Sequence, residues 1–345
     1  MKNDNKLLQF YEVTKRDLQI EASIKVKNPE ASKYWTQELE SLDYLLCANS
    51  RLLDRLREHF FWITGDFVYR YKLHHHESAW FNQLNFRFHE ICKKFPKHKF
   101  IYEPKELSGF GFPIGNGMVN IDTIKFNESL IALGLAFPAL YNEKDGYILE
   151  IGGGWGGFAH ALKQTNPKLK VILVDFPEIL LLAATYLYAT NSEKKIQILN
   201  SPEIDVTADF ILCKNSNSHF IPENIDVHVV ANICSFQEMT SEQIVQYINL
   251  ARKVNAKGIY SHNRERSPYN VEMHSISSIM KSEGLLENDI EIFPSSYTKP
   301  MWQHSKTKKI KKRSFAARYF GRQKTKNEKV KDRLDLSYVH KSFTF

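Results

Sequence analysis

The segment YILEIGGGWGGFAHAL, at residues 147–162, constrains the fold of this 345-residue chain more than any other feature. It joins a short apolar run directly to a helical pattern through five glycines. A turn this rich in glycine lets the backbone approach a ligand closely, and the first turn of the following helix offers unpaired N–H groups. The segment therefore predicts a strand, a ligand-binding loop and a helix in succession.

From about residue 145, short apolar runs alternate with helical patterns, which is typical of a doubly wound α/β domain with a parallel sheet. We expect strands at residues 147–151, 170–175, 195–199, 227–232 and 257–263. Helices are expected after Pro177 and at residues 241–254. Residues 287–293 and 314–320 are candidates for an antiparallel hairpin that closes the edge of the sheet.

The remaining chain divides into segments of different composition. Residues 1–105 carry helical periodicity and predict a helical N-terminal domain. Residues 106–144 contain SGFGFPIGNG, at 108–117, which has four glycines and predicts a loop or tight turns in a connecting or lid segment. We expect the α/β domain to span residues 145–320 and a basic C-terminal tail to span residues 321–345.

Two kinds of cofactor fit the glycine spacing. As G-x-G-x-x-G, Gly152, Gly154 and Gly157 would cradle a dinucleotide pyrophosphate. As E-x-G-x-G-x-G, Glu150 and the glycines would hold S-adenosylmethionine (SAM). A carboxylate at this place favours SAM, because it attracts the ammonium and sulfonium of SAM and repels a pyrophosphate. A glycine-rich turn with a purely structural role is the third alternative.

Asp175 ends the second predicted strand, where a carboxylate can accept hydrogen bonds from the two ribose hydroxyls in either cofactor interpretation. Its alternative role is to cap the helix that begins near Pro177. Phe176 is a candidate to pack on the adenine, or else belongs to the core. The full set of expected cofactor-binding residues is Glu150, Gly152, Gly153, Gly154, Gly156, Asp175, Phe176 and Asn232.

The chain resembles the bacterial sugar O-methyltransferases of the class I SAM-dependent superfamily. The resemblance rests on EIGGGWGG at residues 150–157, LVDFPE at 173–178 and SFQEM at 235–239, and it covers roughly residues 145–265. It implies a Rossmann-like α/β fold with a seven-stranded sheet, SAM as the cofactor, and methyl transfer to a sugar hydroxyl in polysaccharide or glycoconjugate synthesis. The saccharide acceptor would be free, nucleotide-linked or lipid-linked. An NAD(P)-dependent oxidoreductase and a non-catalytic SAM-fold binding module are the alternatives.

Transfer to a sugar hydroxyl needs a base, because the hydroxyl is a very weak acid. Glu238 and His262 qualify by their positions after the fourth and fifth predicted strands, at the sheet edge where ligands bind in open α/β folds. Helix capping for Glu238 and a structural role for His262 are the alternatives. His304 is a third candidate. Asn232 is neutral where a metal-dependent enzyme would place acidic ligands, so we expect no metal.

Two histidine- and aromatic-rich patterns favour structural roles. Three consecutive histidines at residues 74–76 point about 100° apart on a helix and cannot converge on one ion. The aromatic run at residues 80–90 is more typical of helix packing than of a carbohydrate platform.

The net charge of +8 is a local feature, because residues 305–333 hold 13 Lys or Arg and two acidic residues while the rest of the chain is slightly acidic. A solvated face or edge hairpin, an anionic membrane surface, nucleic acid and the phosphate of a nucleotide sugar all fit this segment, in that order of preference. Its interleaved aromatic residues favour peripheral contact with the inner membrane face over nucleic acid.

Four widely spaced cysteines without a CxxC motif are typical of buried thiols in a reducing compartment. The N-terminus lacks the apolar run of a secretory signal, and no apolar run is long enough to span a bilayer. We therefore expect a cytoplasmic protein.

Overall fold

A mainly parallel sheet of eight strands, flanked by helices, organises the structure. The computed structural model describes residues 4–20, 32–73, 78–141, 146–266, 274–293 and 338–345. The strands are β1 (Phe112–Ile114), β2 (Gly117–Val119), β3 (Tyr147–Ile151), β4 (Lys170–Asp175), β5 (Ile196–Ile198), β6 (Phe210–Lys214), β7 (Val227–Ile233), β8 (Gly258–Arg264), β9 (Leu286–Asp289) and β10 (Tyr338–Thr344). The expected Rossmann-like α/β fold class is confirmed.

Helices precede the sheet and alternate with its strands. They are α1 (Asp4–Asp17), α2 (Lys33–Leu42), α3 (Ser50–Leu53), α4 (Phe61–Thr64), α5 (Val68–Leu73), α6 (Ala79–Lys94), α7 (Ile121–Ala136), α8 (Gly157–Thr165), α9 (Pro177–Thr190), α10 (Ser241–Lys253) and α11 (Ile276–Ser282). Helix α7 lies within residues 106–144, for which the sequence predicts a connecting or lid segment rather than a helix. None of the helices in these ranges is long and apolar enough to cross a membrane.

The strand order in the large sheet is β5-β6-β4-β3-β7-β8-β10-β9. After β3 the chain forms β4, β5 and β6 on one side of β3, and then it crosses back to place β7 on the other side. In open α/β sheets a ligand binds beyond the carboxyl ends of the strands at such a reversal. The topology therefore predicts a ligand-binding site in the segments that follow β3 and β7.

The sheet is buried on both faces, as expected for parallel strands covered by helices. Every residue of β3, β6 and β7 is buried. Ile148 of β3 packs in one core with α7, α8 and α9, whereas Leu149 packs in a second core with α10 and α11. Since side chains alternate along a strand, Glu150 points to the same face as Ile148, toward α7.

Two features of the sheet differ from the expectation of seven strands. The first is β6, a strand that the sequence did not predict. The second is β10, which pairs antiparallel with both β8 and β9. Residues 338–344 had been assigned to the basic tail, and that assignment is wrong for them because they pair with β8 over its whole length. The expected strand at residues 314–320 lies outside the described residues.

The glycine-rich segment at 108–117 contributes to a two-stranded hairpin, β1 and β2, rather than forming a loop throughout. Its residues do not line the cavity at the carboxyl ends of β3, β7 and β8, and the lid role stays a prediction. The four cysteines are free thiols; Cys213 is buried as expected, but Cys47 is exposed.

Arg57 connects the N-terminal helices to the rest of the structure. Its side chain is fully buried, and it pairs with Glu103 at 2.6 Å and with Asp122 of α7 at 2.8 Å. Its guanidinium carbon lies 4.1 Å from the ring centroid of Trp155 in the glycine loop. Breaking a buried, paired charge costs several kcal/mol, so Arg57 fixes the N-terminal helices, α7 and the loop relative to one another.

Candidate active site

A cavity of about 390 Å³ lies at the carboxyl ends of β3, β7 and β8. The glycine loop after β3 forms its floor, and the ends of β7 and β8 together with Tyr338 of β10 form one wall. Side chains of α2 and α4 face that wall across the cavity. The N-terminal helices thus cover the sheet edge at the chain reversal.

Gly152 and Gly154 give the loop its shape. Gly152 has φ +69°, and a Cβ there would lie 2.0 Å from Oγ of Ser235, so only glycine fits beneath the segment that follows β7. Gly154 has φ +53° and faces open space, with Ile63 the nearest contact for a Cβ. Gly153 also lines the cavity. Gly156 does not; it caps the N-terminus of α8 and faces Leu187 of α9.

Glu150 is a buried carboxyl group that faces the cavity from the end of β3. Its Oε2 has no hydrogen-bond partner among the described residues. Burial and the neighbouring Asp175 raise the pKa of Glu150 well above its usual range, and Lys125 opposes this shift. A buried carboxyl oxygen without a partner is costly, so Glu150 suits a cationic or hydrogen-bond-donating ligand in the cavity.

Two backbone N–H groups already donate hydrogen bonds to the carboxylate of Asp175. Its Oδ2 accepts from the Gly154 N–H at 2.8 Å, and its Oδ1 accepts from the Phe176 N–H at 2.7 Å. Burial raises the pKa of Asp175 to about 7 despite these two bonds. Asp175 lines both the large cavity and a small one of about 30 Å³, where it meets Phe176 and Trp35. The arrangement joins the loop after β3 to the end of β4.

Phe176 lies in the small cavity, where its ring centroid is 5.8 Å from that of Trp35 in α2. Asn215, Ser235 and Gln243 are among the polar residues that line this cavity. The position combines an aromatic face with polar atoms, as ligand pockets commonly do.

Asn232 does not line either cavity. Its side chain donates to the Ile151 carbonyl at 2.8 Å and accepts from the Phe236 N–H at 2.9 Å and the Asn263 side chain at 2.9 Å. Asn232 therefore ties together the segments after β3, β7 and β8. This placement argues against the predicted direct contact with a cofactor and makes Asn232 a positioning residue.

Glu238 lines both cavities, immediately after β7. Burial raises the pKa of Glu238 to about 8, and hydrogen bonds from Gln237 and Trp35 only partly offset the shift. A carboxyl group with this pKa exchanges a proton near neutral pH, which is the range in which a general base is most effective. Of the two predicted bases within the described residues, Glu238 is the one that reaches the cavity.

His262 does not line the cavity, although it lies near the end of β8. Its ring is fully buried, stacks on His340 with centroids 3.8 Å apart, and bonds Oγ of Ser129 at 2.8 Å. Burial, His340 and Lys125 lower the pKa of His262 well below its usual range. Because a base must reach the acceptor, this placement argues against the predicted catalytic role.

Replacing His262 with Ala is therefore expected to lower the stability of the protein more than it changes cofactor binding or turnover. We expect the free energy of unfolding to fall by about 2–4 kcal/mol, because the change leaves a cavity and removes a buried hydrogen bond. Denaturant unfolding gives this difference, with His89→Ala on the exposed face of α6 as the control. A stable His262→Ala protein that binds cofactor normally but has lost turnover would restore His262 as a catalytic candidate.

Lys125 of α7 is a cavity residue that the sequence analysis missed. It forms an ion pair with Asp122 at 2.9 Å. Although burial opposes its charge, Asp122 raises the pKa of Lys125, which stays protonated. The signal in the sequence was a pair of opposite charges, three residues apart, at the start of a mostly apolar helix. Lys125 places a fixed positive charge near Glu150.

The wall formed by β8 and β10 adds two further residues that were missed. Arg264 ends β8 and Tyr338 begins β10, and the two are register partners. The guanidinium carbon of Arg264 lies 4.6 Å from the ring centroid of Tyr338. Trp35, Phe61 and Trp62 add aromatic surface to the lining of the same cavity. His304, the histidines at 74–76 and the basic segment 305–333 lie outside the described residues.

No protein-family model and no curated protein matches this chain. Solved structures do match. Magnesium protoporphyrin IX methyltransferase from Synechocystis PCC 6803, with bound SAM, aligns over 67% of this chain and 87% of its own, at 9% identity and a TM-score of 0.36. Phosphoethanolamine N-methyltransferase 2 from Haemonchus contortus aligns over 63% and 52%, at 15% identity and a TM-score of 0.35.

A third match is an O-methyltransferase family protein from Burkholderia thailandensis, which aligns over 50% of this chain and 56% of its own, at 12% identity and a TM-score of 0.33. The alignment spans about half the length of the second and third proteins. At such TM-scores these matches carry no argument about the cofactor or the substrate.

Proposed function

We propose that this protein is a SAM-dependent methyltransferase that transfers a methyl group to a hydroxyl of a saccharide. The observation that supports SAM as the cofactor concerns Glu150. This buried carboxyl group faces the cavity beside the glycine loop, and its Oε2 has no hydrogen-bond partner among the described residues. A group with an ammonium or sulfonium charge would offset the cost of burying that carboxylate.

The other residues around the cavity fit the rest of SAM. Asp175 and Phe176 would hold the ribose and adenine, and Lys125 would attract the carboxylate of the methionine moiety. The loop suits a pyrophosphate less well. Its Gly154 N–H already donates to Asp175, and Glu150 would repel phosphate oxygens. These contacts favour SAM over a nicotinamide or flavin dinucleotide.

When bound, SAM supplies a methyl group activated by its sulfonium. Glu238 would accept the proton of the acceptor hydroxyl, since it is the cavity carboxyl group with a pKa of about 8 next to the polar wall. The aromatic side chains of α2 and α4 would cover the acceptor and exclude water. Oriented polar groups facing an aromatic surface, together with the resemblance in sequence, support a saccharide as the acceptor.

Calorimetric titration with SAM and with NAD tests the cofactor. We expect SAM to bind with a dissociation constant in the micromolar range, typical of enzyme ligands, and NAD to bind at least a hundredfold more weakly. S-adenosylhomocysteine, which lacks the sulfonium charge, serves as a matched ligand. Tight NAD binding without SAM binding would replace the proposal with an oxidoreductase, and SAM binding without methyl transfer to any cell-envelope glycan would indicate a non-catalytic module.

We also propose that the basic segment 305–333 brings the protein to the anionic inner face of a membrane, where lipid-linked acceptors are found. Its charge and interleaved aromatic residues support this proposal, and we do not expect nucleic-acid binding.

A further inference from the structure

Arg264 is a cationic side chain in the cavity whose charge the described structure leaves uncompensated. It lines the cavity from the end of β8. No carboxylate of the described residues forms an ion pair with it, and its buried Nε has no hydrogen-bond partner among them. A half-buried arginine whose Nε is buried without a partner suits an anion, because its planar fork matches a carboxylate or phosphate.

The position of Arg264 is fixed by its neighbours. Its guanidinium lies against the ring of Tyr338, and its backbone N–H donates to Oε1 of Gln237 at 3.0 Å. The same Gln237 donates from Nε2 to the Tyr338 hydroxyl at 3.2 Å. One side chain thus holds both the arginine and the aromatic ring on which it stacks, and such preorganisation reduces the cost of binding an anion.

Lys125 is the other cationic side chain that lines the cavity among the described residues. It is paired with Asp122, and its charge acts on Glu150 and also on Tyr338. Arg264 lies at the end of β8 and lines the same cavity. Because Asp122 already pairs with Lys125, Arg264 is the cationic side chain among the described cavity residues that has no carboxylate partner.

We propose that the acceptor carries an oxyanion, either a carboxylate or a phosphate, that is bound by the Arg264 guanidinium beside Glu238. The inference rests on the proposed methyl transfer, since that reaction assigns one end of the cavity to the acceptor. Arg264 determines specificity: it anchors the anion, while Glu238 faces the hydroxyl. The acceptor class is then a uronate or a phosphorylated sugar rather than a neutral one.

The test uses the full chain saturated with S-adenosylhomocysteine and titrates it calorimetrically with three probes: glucuronate, glucose 6-phosphate and glucose. We expect at least one anionic probe to bind tenfold or more tightly than glucose. Arg264→Gln should abolish that preference and leave glucose binding within twofold. Arg264→Lys should keep part of it, because charge is retained and the planar fork is lost. Comparing the two anionic probes distinguishes carboxylate from phosphate.

Arg266→Gln is the matched control, because Arg266 is exposed two residues beyond β8 and does not line the cavity. A wild-type protein without anion preference, or an Arg264→Gln protein that keeps it, overturns the inference. It is also overturned if Arg264→Gln weakens SAM binding as much as anion binding, since Arg264 would then belong to the cofactor site. If the wild type does not bind SAM, the result would instead contradict the proposed methyltransferase function.

Discussion

Replacing Glu238 with Gln is expected to lower the rate of methyl transfer by about 10²–10⁴-fold, the usual contribution of a general base. The amide keeps the size of the side chain but cannot accept the hydroxyl proton. We expect SAM affinity to change less than threefold, because Glu150 and Asp175 make the proposed cofactor contacts. Initial rates with labelled SAM and calorimetry with unlabelled SAM measure the two quantities separately.

The pH dependence gives Glu238 a signature that a structural role would not produce. Since burial raises the pKa of Glu238 to about 8, the wild-type kcat/KM should rise with pH and level off above about 8. The residual rate of Glu238→Gln should lack this step.

The stability of the folded protein should fall as the pH rises, whereas the rate should increase. The raised pKa means that the folded protein binds this proton more tightly than the unfolded chain does. The free energy of unfolding of the wild type, relative to that of Glu238→Gln, should therefore decrease as the pH rises from 4.5, the ordinary pKa of a glutamate, to about 8. Thermal unfolding of the two proteins at pH 5 and pH 8.5 measures the change.

Glu242 provides the matched control, because it is a glutamate in the first turn of α10 with an exposed side chain. Glu242→Gln should leave turnover, its pH profile and SAM affinity unchanged. Full turnover by Glu238→Gln on an identified acceptor would show that another group accepts the proton.

The sequence allowed the centre of the fold to be predicted because local chemistry determines it. The expected bounds of β3 and β4 agree with the structure, and Glu150 and Asp175 both face the cavity from the ends of those strands. A strand that leads into a glycine-rich turn needs few distant contacts to be recognised. The fold class followed from this unit and the alternation after it.

The acceptor side could not be predicted in the same way, because it depends on contacts between distant segments. Tyr338 reaches the cavity only because β10 pairs with β8. His262 and Arg264 lie on the same face of β8, yet only Arg264 extends past the end of the strand into the cavity. Strand periodicity gives the face of a residue but not its depth, and this explains why the sequence favoured His262.

Replacing Glu150 with Gln is expected to weaken SAM binding by about 10–100-fold, since a hydrogen bond to a charged group contributes about 1.5–3 kcal/mol. The apo protein should not become less stable at pH 8. Burial and Asp175 raise the pKa of Glu150, so its charge opposes folding there, and a neutral amide removes that cost. Calorimetric titration with SAM and thermal unfolding without ligand test the two halves of the prediction.

The wild-type affinity for SAM should also increase from pH 6 to pH 8, because a cationic ligand favours the ionised forms of Glu150 and Asp175, and the pKa of Asp175 is about 7. Glu193→Gln is the control, as Glu193 is an exposed glutamate between α9 and β5 that does not line either cavity. It should leave the affinity within about twofold. Equal SAM affinity in wild type and Glu150→Gln would mean that the buried carboxylate does not recognise the cofactor, and the main support for SAM over a dinucleotide would be lost.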